Sequence, residues 1–219
     1  GKGEVYLASP ATAAASAIAG VISSIENIPE RPVLFPVPEI RMEILPGKTG
    51  TEGSAKTVKP DEVTGTVWVI PKDNIDTDMI FHNRYLAITK MAEMGPYTFD
   101  NLKGFEDFAK KAKPGDIVVT GKNFGAGSSR QQAVDCFKSL GIALLIAESF
   151  GAIYERNAIN AGLPILRADL IQGGIQTGDK IKVKFATGEI ELLAKNQKAQ
   201  GVKFSDVQMK IYQKGGLLK

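Results

Sequence analysis

The spacing of apolar and polar residues changes twice along the chain. Residues 9 to 20, SPATAAASAIAG, are apolar on nearly every side, with Ser9 placed as N-cap, Pro10 at the first helical position and Gly20 as the stop. A helix with no polar face needs burial on several sides, and little else in the first quarter of the chain offers it. The preceding EVYLA, residues 4 to 8, predicts a short strand. From Pro29 to Pro60 the periodicity dissolves: Pro29, Pro32, Pro36, Pro38 and Pro46 precede GKTGTEGSAKTVKPDE, the composition of a linker, PPII-like at first and flexible later. So long a structureless connection places a domain boundary near residue 63.

Beyond that boundary strand and helix patterns alternate. Strands are predicted at 64 to 70, 116 to 121, 143 to 147 and 163 to 168, followed by a hairpin, KIKVKF-ATG-EIELLA, turning near Thr187 and Gly188. Helices are predicted at 103 to 112, 129 to 140, 150 to 161 and 205 to 213, the last capped by Ser205. Short apolar strands separated by amphipathic helices mean an α/β fold whose sheet is partly parallel and flanked by helices, and the late hairpin adds an antiparallel piece. No internal repeat interrupts the pattern. The polar stretch at 73 to 100 is too long and too varied to be only a turn.

Composition narrows the function. A formal net charge of +3 with 23% charged residues, scattered rather than clustered, argues against nucleic acid as a partner. No apolar run reaches the roughly 18 residues of a membrane span, and no basic-then-apolar leader opens the chain, so the expectation is a cytoplasmic protein with no membrane partner. The start at Gly1 without a methionine points to processing or to a piece of something longer. One cysteine, Cys136, and one histidine, His82, exclude an internal disulfide and the usual Cys/His metal cages, so no metal is expected on this chain. A serine-histidine-aspartate triad would have to use His82, which reads instead as a turn or pocket-edge residue. Cys136 shares an apolar helix face with Ala133, Phe137 and Leu140 and is assigned to the core.

The chemistry concentrates in GKNFGAGSSR, where a strand runs through a glycine turn into a helix. Unpaired N–H groups and the positive end of the dipole make such a corner an anion site, and Gly125 and Gly127 let a ligand approach the backbone. Ser128 or Ser129 can serve as N-cap. Arg130 then falls in the first turn, where a cation is unfavourable by up to about 1 kcal/mol. A local rule broken beside an anion site points to function, and a guanidinium there can clamp a carboxylate or a phosphate. GAGSSR lacks the lysine of a phosphate loop and the third glycine of G-x-G-x-x-G, which favours carboxylate. A structural helix with Arg130 in solvent is the bland alternative. Helix amides and an adjacent arginine would also favour an alkoxide, making Ser128 a candidate general base without histidine.

These residues carry a family resemblance. GKNFGAGSSRQQAV, then GIALLIAESFGAIYERNAINAGLPIL, together with DNIDTDMIFHNRYL at 73 to 86, resemble the swivel domain of the aconitase superfamily, which includes aconitases, homoaconitases and the small subunit of isopropylmalate isomerase. GEVYLASPATAAASAIAG is similar to the closing segment of the larger, cluster-carrying part of these enzymes. The resemblance implies a swivelling β/β/α domain at 63 to 219, a linker at 25 to 62 and a remnant of the preceding cluster-carrying domain at 1 to 24. It implies a hydro-lyase that isomerises a 2-hydroxy acid, with Ser128 as the base and Ser129 and Arg130 on substrate oxygens. It also implies a [4Fe-4S] cluster held by three cysteines, which must sit on a large domain or subunit outside this chain. Arg84 is a candidate second carboxylate contact, and Asp76, Thr77 and Asp78 are candidates to orient the substrate loop, with turn or helix capping as their alternative role.

The chain departs from the pattern in two places. Many relatives carry Cys-Gly or Glu-Gly at Ala126-Gly127, and Glu-His where Gln131-Gln132 follows the arginine. After Arg84-Tyr85-Leu86, Ala87 and Ile88 offer no charge for a distal carboxylate, which favours an apolar substituent such as isopropyl. Attachment to a remnant of the larger part favours the single-chain aconitases. On balance a tricarboxylic substrate such as citrate comes first, isopropylmalate or homoaconitate second, and a non-catalytic carboxylate-binding module third.

Overall fold

A computed structural model of the chain describes residues 6–34 and 59–218. The first residues of the expected strand at 4 to 8, and most of the expected linker, including Pro36, Pro38 and Pro46, lie outside the described residues. The chain divides into two compact units, Gly1–Ala55 and Lys56–Lys219.

In the first unit, α1 (Pro10–Ala19) starts and stops where its sequence dictates. The Ser9 hydroxyl accepts from the Thr12 amide at 3.1 Å, and Gly20 ends the helix at φ 72°, a left-handed conformation. Ser16 ties the chain's return to the helix, accepting from the Ser23 amide at 3.0 Å. Ala15 is buried, whereas Ile18, Val21, Ile22 and Ile25 present apolar surface. Residues 7 and 8 join no strand.

The second unit is built on a seven-stranded sheet in the order β4-β3-β2-β1-β5-β6-β7. Along the chain these strands are β1 (Glu62–Ile70), β2 (Ile117–Thr120), β3 (Leu144–Ala147), β4 (Ile165–Arg167), β5 (Lys180–Lys184), β6 (Glu189–Leu192) and β7 (Gln197–Gln200). The helices among them are α2 (Thr77–Ile80), α3 (Phe108–Lys111), α4 (Gln132–Leu140), α5 (Ala152–Asn160) and α6 (Asp206–Lys214). β1 serves both halves: Val67 to Ile70 pair in parallel with β2, whereas Glu62 to Thr66 pair antiparallel with β5.

Pleating explains the two cores. Ile70, Val118, Leu145 and Ile165 point to the face covered by α4, α5 and the 73 to 115 segment, and their neighbours Val67, Ile117, Val119, Leu144 and Ile146 point to the opposite face. Both faces of the parallel half are therefore buried, as β2 and β3 show at every position. On β5 only Ile181 and Val183 are buried, and Lys182 and Lys184 alternate outward to meet Glu62 and Glu189. Phe185, Phe204 and Tyr212 close that second core, bringing α6 onto the sheet. This is the α/β fold with a partly parallel sheet flanked by helices that the alternation predicts.

Three expectations need correction. The helix expected at 103 to 112 contracts to α3, because Gly104 takes φ +88° and successive i→i+3 turns bring Phe99, Leu102, Phe105 and Phe108 into the core. The polar QKAQ of β7 carries no apolar alternation, yet it pairs with β6 from Glu189–Gln200 to Leu192–Gln197. The helix expected from residue 129 begins only at Gln132, for a reason that lies in the site.

Candidate functional site

Two loops lie side by side at the ends of the parallel strands. The 73 to 82 segment follows β1, the 121 to 131 segment follows β2, and a backbone ladder stitches them together. The Asn74 amide donates to the Lys122 carbonyl at 2.8 Å, the Gly125 amide to the Ile75 carbonyl at 2.7 Å and the Thr77 amide to the Ala126 carbonyl at 3.0 Å. Gly125, at φ +76°, makes the stitch possible: a Cβ there would lie 2.2 Å from Cγ of Tyr154, whose hydroxyl donates to the Ala133 carbonyl on α4. α5 thus packs directly under the corner.

The ladder gathers Asp76, Thr77, Asp78, Ser128, Ser129 and Arg130. Asp76 caps α2, accepting from the amides of Asp78 at 2.8 Å and Met79 at 2.7 Å. Buried Thr77 donates its hydroxyl to the Ser128 carbonyl at 3.0 Å, which fixes the backbone that carries the serine. Asp78 accepts from Arg130 Nη1 at 2.5 Å and from the Asn83 amide at 3.0 Å, and Asn101 approaches its other oxygen at 3.3 Å. The Arg130 hydrogen bond holds the Asp78 carboxyl below its ordinary value against the opposing effect of desolvation, with the Asn83 amide adding to the lowering. Arg130 Nη1 also donates to the Phe81 carbonyl at 3.3 Å, and among the described residues its Nη2 and Nε have no partner.

This arrangement revises the helix-start reading. α4 begins at Gln132, and neither Ser128 nor Ser129 caps it; the N-cap position is Gln131, in αR conformation, whose side chain donates to Asp135 at 3.0 Å rather than capping the helix. The amides of Ala133, Val134 and Asp135 are turned inward to the carbonyls of Arg130 and Gln131, whereas among the described residues those of Ser128, Ser129, Arg130, Gln131 and Gln132 meet no protein acceptor. Arg130 precedes the helix, and its charge is met by Asp78 rather than set against the helix dipole. Hydrogen bonds to the 73 to 82 loop outcompete the extra helical turn.

Ser128 and Ser129 are exposed. Ser129 Oγ accepts from Asn157 Nδ2 on α5 at 3.1 Å. Arg84 makes no bond to the corner: it is exposed, and its guanidinium lies over the Tyr85 ring with its carbon 5.2 Å from the centroid. His82 sits at the edge of the same loop, its Nδ1 accepting from the Arg84 amide at 3.1 Å and its Nε2 4.0 Å from Asp78. Ile88 packs on the aromatic core and Ala87 is exposed, so of that pair Ala87 faces solvent. Tyr85 hydrogen bonds Asp100 at 2.6 Å and stacks on Tyr97, which makes this loop a packed support. A cavity of about 360 Å³ borders the site segment at Gln131 and extends away from the serines between Asp135, Lys138, Asn160 and the C-terminal residues 215 to 218.

One residue of this corner and one pairing escape sequence reasoning. Asn157 lies within the GIALLIAESFGAIYERNAINAGLPIL stretch but 28 positions from Ser129, with nothing local to mark it as a contact of the corner, and pairing Asp78 with Arg130 requires knowing that the two loops meet. An iron-sulfur cluster does not fit the chain. Cys136 is fully buried, its thiol pushed up to about 12 by desolvation, and among the described residues no three His, Cys, Asp or Glu side chains gather as a metal site.

The aconitase C-terminal domain family matches residues 60–169. The isopropylmalate/citramalate isomerase small subunit of Methanocaldococcus jannaschii is 43% identical over 156 residues, 71% of this chain and 91% of that protein. The 3-isopropylmalate dehydratase small subunit of Clostridium beijerinckii is 42% identical, over 67% of this chain and 89% of its own length. The methanogen homoaconitase small subunit of Methanothermobacter thermautotrophicus is 37% identical, over 71% and 88%. A crystal structure of 3-isopropylmalate dehydratase from M. jannaschii superposes with a TM-score of 0.67 at 36% identity, covering 72% of this chain and 91% of that one.

Proposed function

Because the chain belongs to the aconitase C-terminal domain family, we propose that it works as the small-subunit part of a hydro-lyase that isomerises a 2-hydroxy acid of the isopropylmalate or homoaconitate kind. The relatives, named as small subunits of isopropylmalate, citramalate and homoaconitate enzymes, displace the citrate-type substrate put first on sequence grounds. The argument from a single-chain aconitase rested on the N-terminal remnant, and the apolar Ala87 agrees better with these relatives.

The observation that carries the reading is the corner at Ser128 to Arg130, held by Thr77 and Asp78. Arg130 is fixed through one nitrogen, leaving Nη2 and Nε to meet a substrate carboxylate, and Ser129 offers a hydroxyl beside it. Ser128 stands on a backbone that Thr77 immobilises, as a base that must reach a proton α to that carboxylate requires. Proximity to the Arg130 guanidinium favours the ionised serine. A proton leaves the substrate carbon for Ser128 Oγ and is returned on rehydration.

Because this chain supplies no cluster ligands, a larger partner subunit holds the [4Fe-4S] cluster in this reading and completes the site over the exposed serines. Residues 1–24 are, in the same reading, a remnant of such a cluster-carrying part, consistent with the apolar surface that α1 and the turn after it present.

Ser128→Ala in the enzyme assembled with its large subunit tests the assignment. Turnover should fall by at least about 100-fold while the KM for 3-isopropylmalate stays within a few-fold. Small, equal losses in both parameters would remove Ser128 from the role of base.

A further inference from the structure

Among the described residues Asn157 is the one side chain outside the two site loops that hydrogen bonds a serine hydroxyl of the corner, and it comes from a helix anchored on both sides. Tyr154 holds α5 to α4 through the Ala133 carbonyl at 3.1 Å, and Glu155 takes two nitrogens of Arg167 on β4, Nε at 3.0 Å and Nη2 at 2.5 Å. Between these anchors Asn157 Nδ2 reaches Ser129 Oγ at 3.1 Å. A hydroxyl has one proton to donate and two lone pairs with which to accept. With one lone pair occupied by the asparagine N–H, the Ser129 proton is left to point away from α5, and accepting one hydrogen bond makes the hydroxyl a better donor of the next.

The geometry points to Asn157 as a positioning residue that orients the Ser129 hydroxyl as a hydrogen-bond donor to a carboxylate oxygen of the substrate. The inference rests on the reading of Ser129 as a carboxylate contact. Asn157 itself touches no substrate; it selects which way Ser129 donates. The carboxylate thereby receives the Ser129 O–H and the outer nitrogens of Arg130, all donors, with no competing acceptor turned toward it.

Four variants of the assembled enzyme, assayed with 3-isopropylmalate, decide the matter. Ser129→Ala and Asn157→Ala should each raise KM about 3- to 10-fold, the effect of one neutral hydrogen bond, with kcat changed less than KM. The double variant should equal Ser129→Ala alone, because Asn157 acts only through that hydroxyl. Asn157→Asp keeps the shape but offers only acceptors, so Ser129 would donate to it and turn from the substrate; its KM should exceed that of Asn157→Ala. If the Asp variant is milder than the Ala variant, or the two single losses add in the double, Asn157 merely fills space and the inference fails while the reading of Ser129 stands. If Ser129→Ala leaves KM unchanged, the carboxylate role of Ser129 fails and takes the inference with it. Melting temperatures of the four proteins separate either result from unfolding.

Discussion

Arg130 looks misplaced in the sequence, a cation at the mouth of a helix, and the structure resolves the oddity through a residue 52 positions away. Asp78 neutralises it, with side-chain exposures of 18% for the arginine and 33% for the aspartate, so the pair is partly sheltered from screening. The consequence for pH follows from the direction of the Asp78 shift. Its native value lies below that of the unfolded chain, so the pair stabilises the fold above about pH 4 and the contribution is lost as pH falls through the lowered native value. Asp78→Asn should therefore show a shallower decline of melting temperature between about pH 4 and pH 2 than the parent. Parallel curves for the two proteins over that range would mean that the ion pair contributes nothing to acid sensitivity. In the assembled enzyme the same substitution releases Arg130 from its anchor, and the cost belongs in KM.

At the scale of elements, α5 is the platform of the site. Its helix starts at Ala152, its Tyr154 ring lies against Gly125, and the stacking of Phe150 on Tyr154 and the edge contact of Phe124 make one aromatic block beneath the serine corner. Gly125→Ala combines a left-handed φ that costs about 1 to 2 kcal/mol with an overlap against the Tyr154 ring that costs about 1 to 3 kcal/mol. The expected loss is about 2 to 5 kcal/mol, read by urea denaturation, or, if α5 shifts to make room, a smaller loss with the Ser129–Asn157 bond broken. A variant with parental stability and parental KM would contradict the packing described. α6 obeys simpler rules: Ser205 caps it, accepting from the Gln208 amide at 3.2 Å, and Gly215 ends it. Its limits are close to those predicted because both signals are local. α4 misses by three residues at its start because there the local signal loses to a tertiary one.

For the whole molecule, the proposed function makes the exposed serines and the ion-paired arginine one half of an active site. Mixing the chain with a cluster-loaded large subunit of this family should yield dehydration of 3-isopropylmalate or homocitrate, with neither part active alone and citrate the poorer substrate. Activity of the isolated chain, or preference for citrate in the mixture, would overturn the division of labour or the substrate class respectively. The described helices include none long and apolar enough to cross a membrane.

Much of this was written in one dimension. The alternation of apolar residues with period two, broken by helical stretches, dictates strands that bury alternate residues on opposite faces, and β1, β2, β3, β5 and β6 lie close to where that pattern puts them. The caps at Ser9, Gly20 and Ser205 are equally local, since each depends on a hydroxyl or a missing Cβ within a few residues of the helix end. The motif around Ser128 to Arg130 marks the corner where chemistry concentrates. Pairings between distant segments were decided only by the tertiary structure: Asp78 with Arg130, Asn157 with Ser129, and the polar β7 with β6. A hydrogen bond between side chains far apart in sequence leaves no periodicity behind. The sheet order brings β1 beside β2 and so lays their two loops together, and that proximity, more than the propensity of either loop, sets where α4 begins.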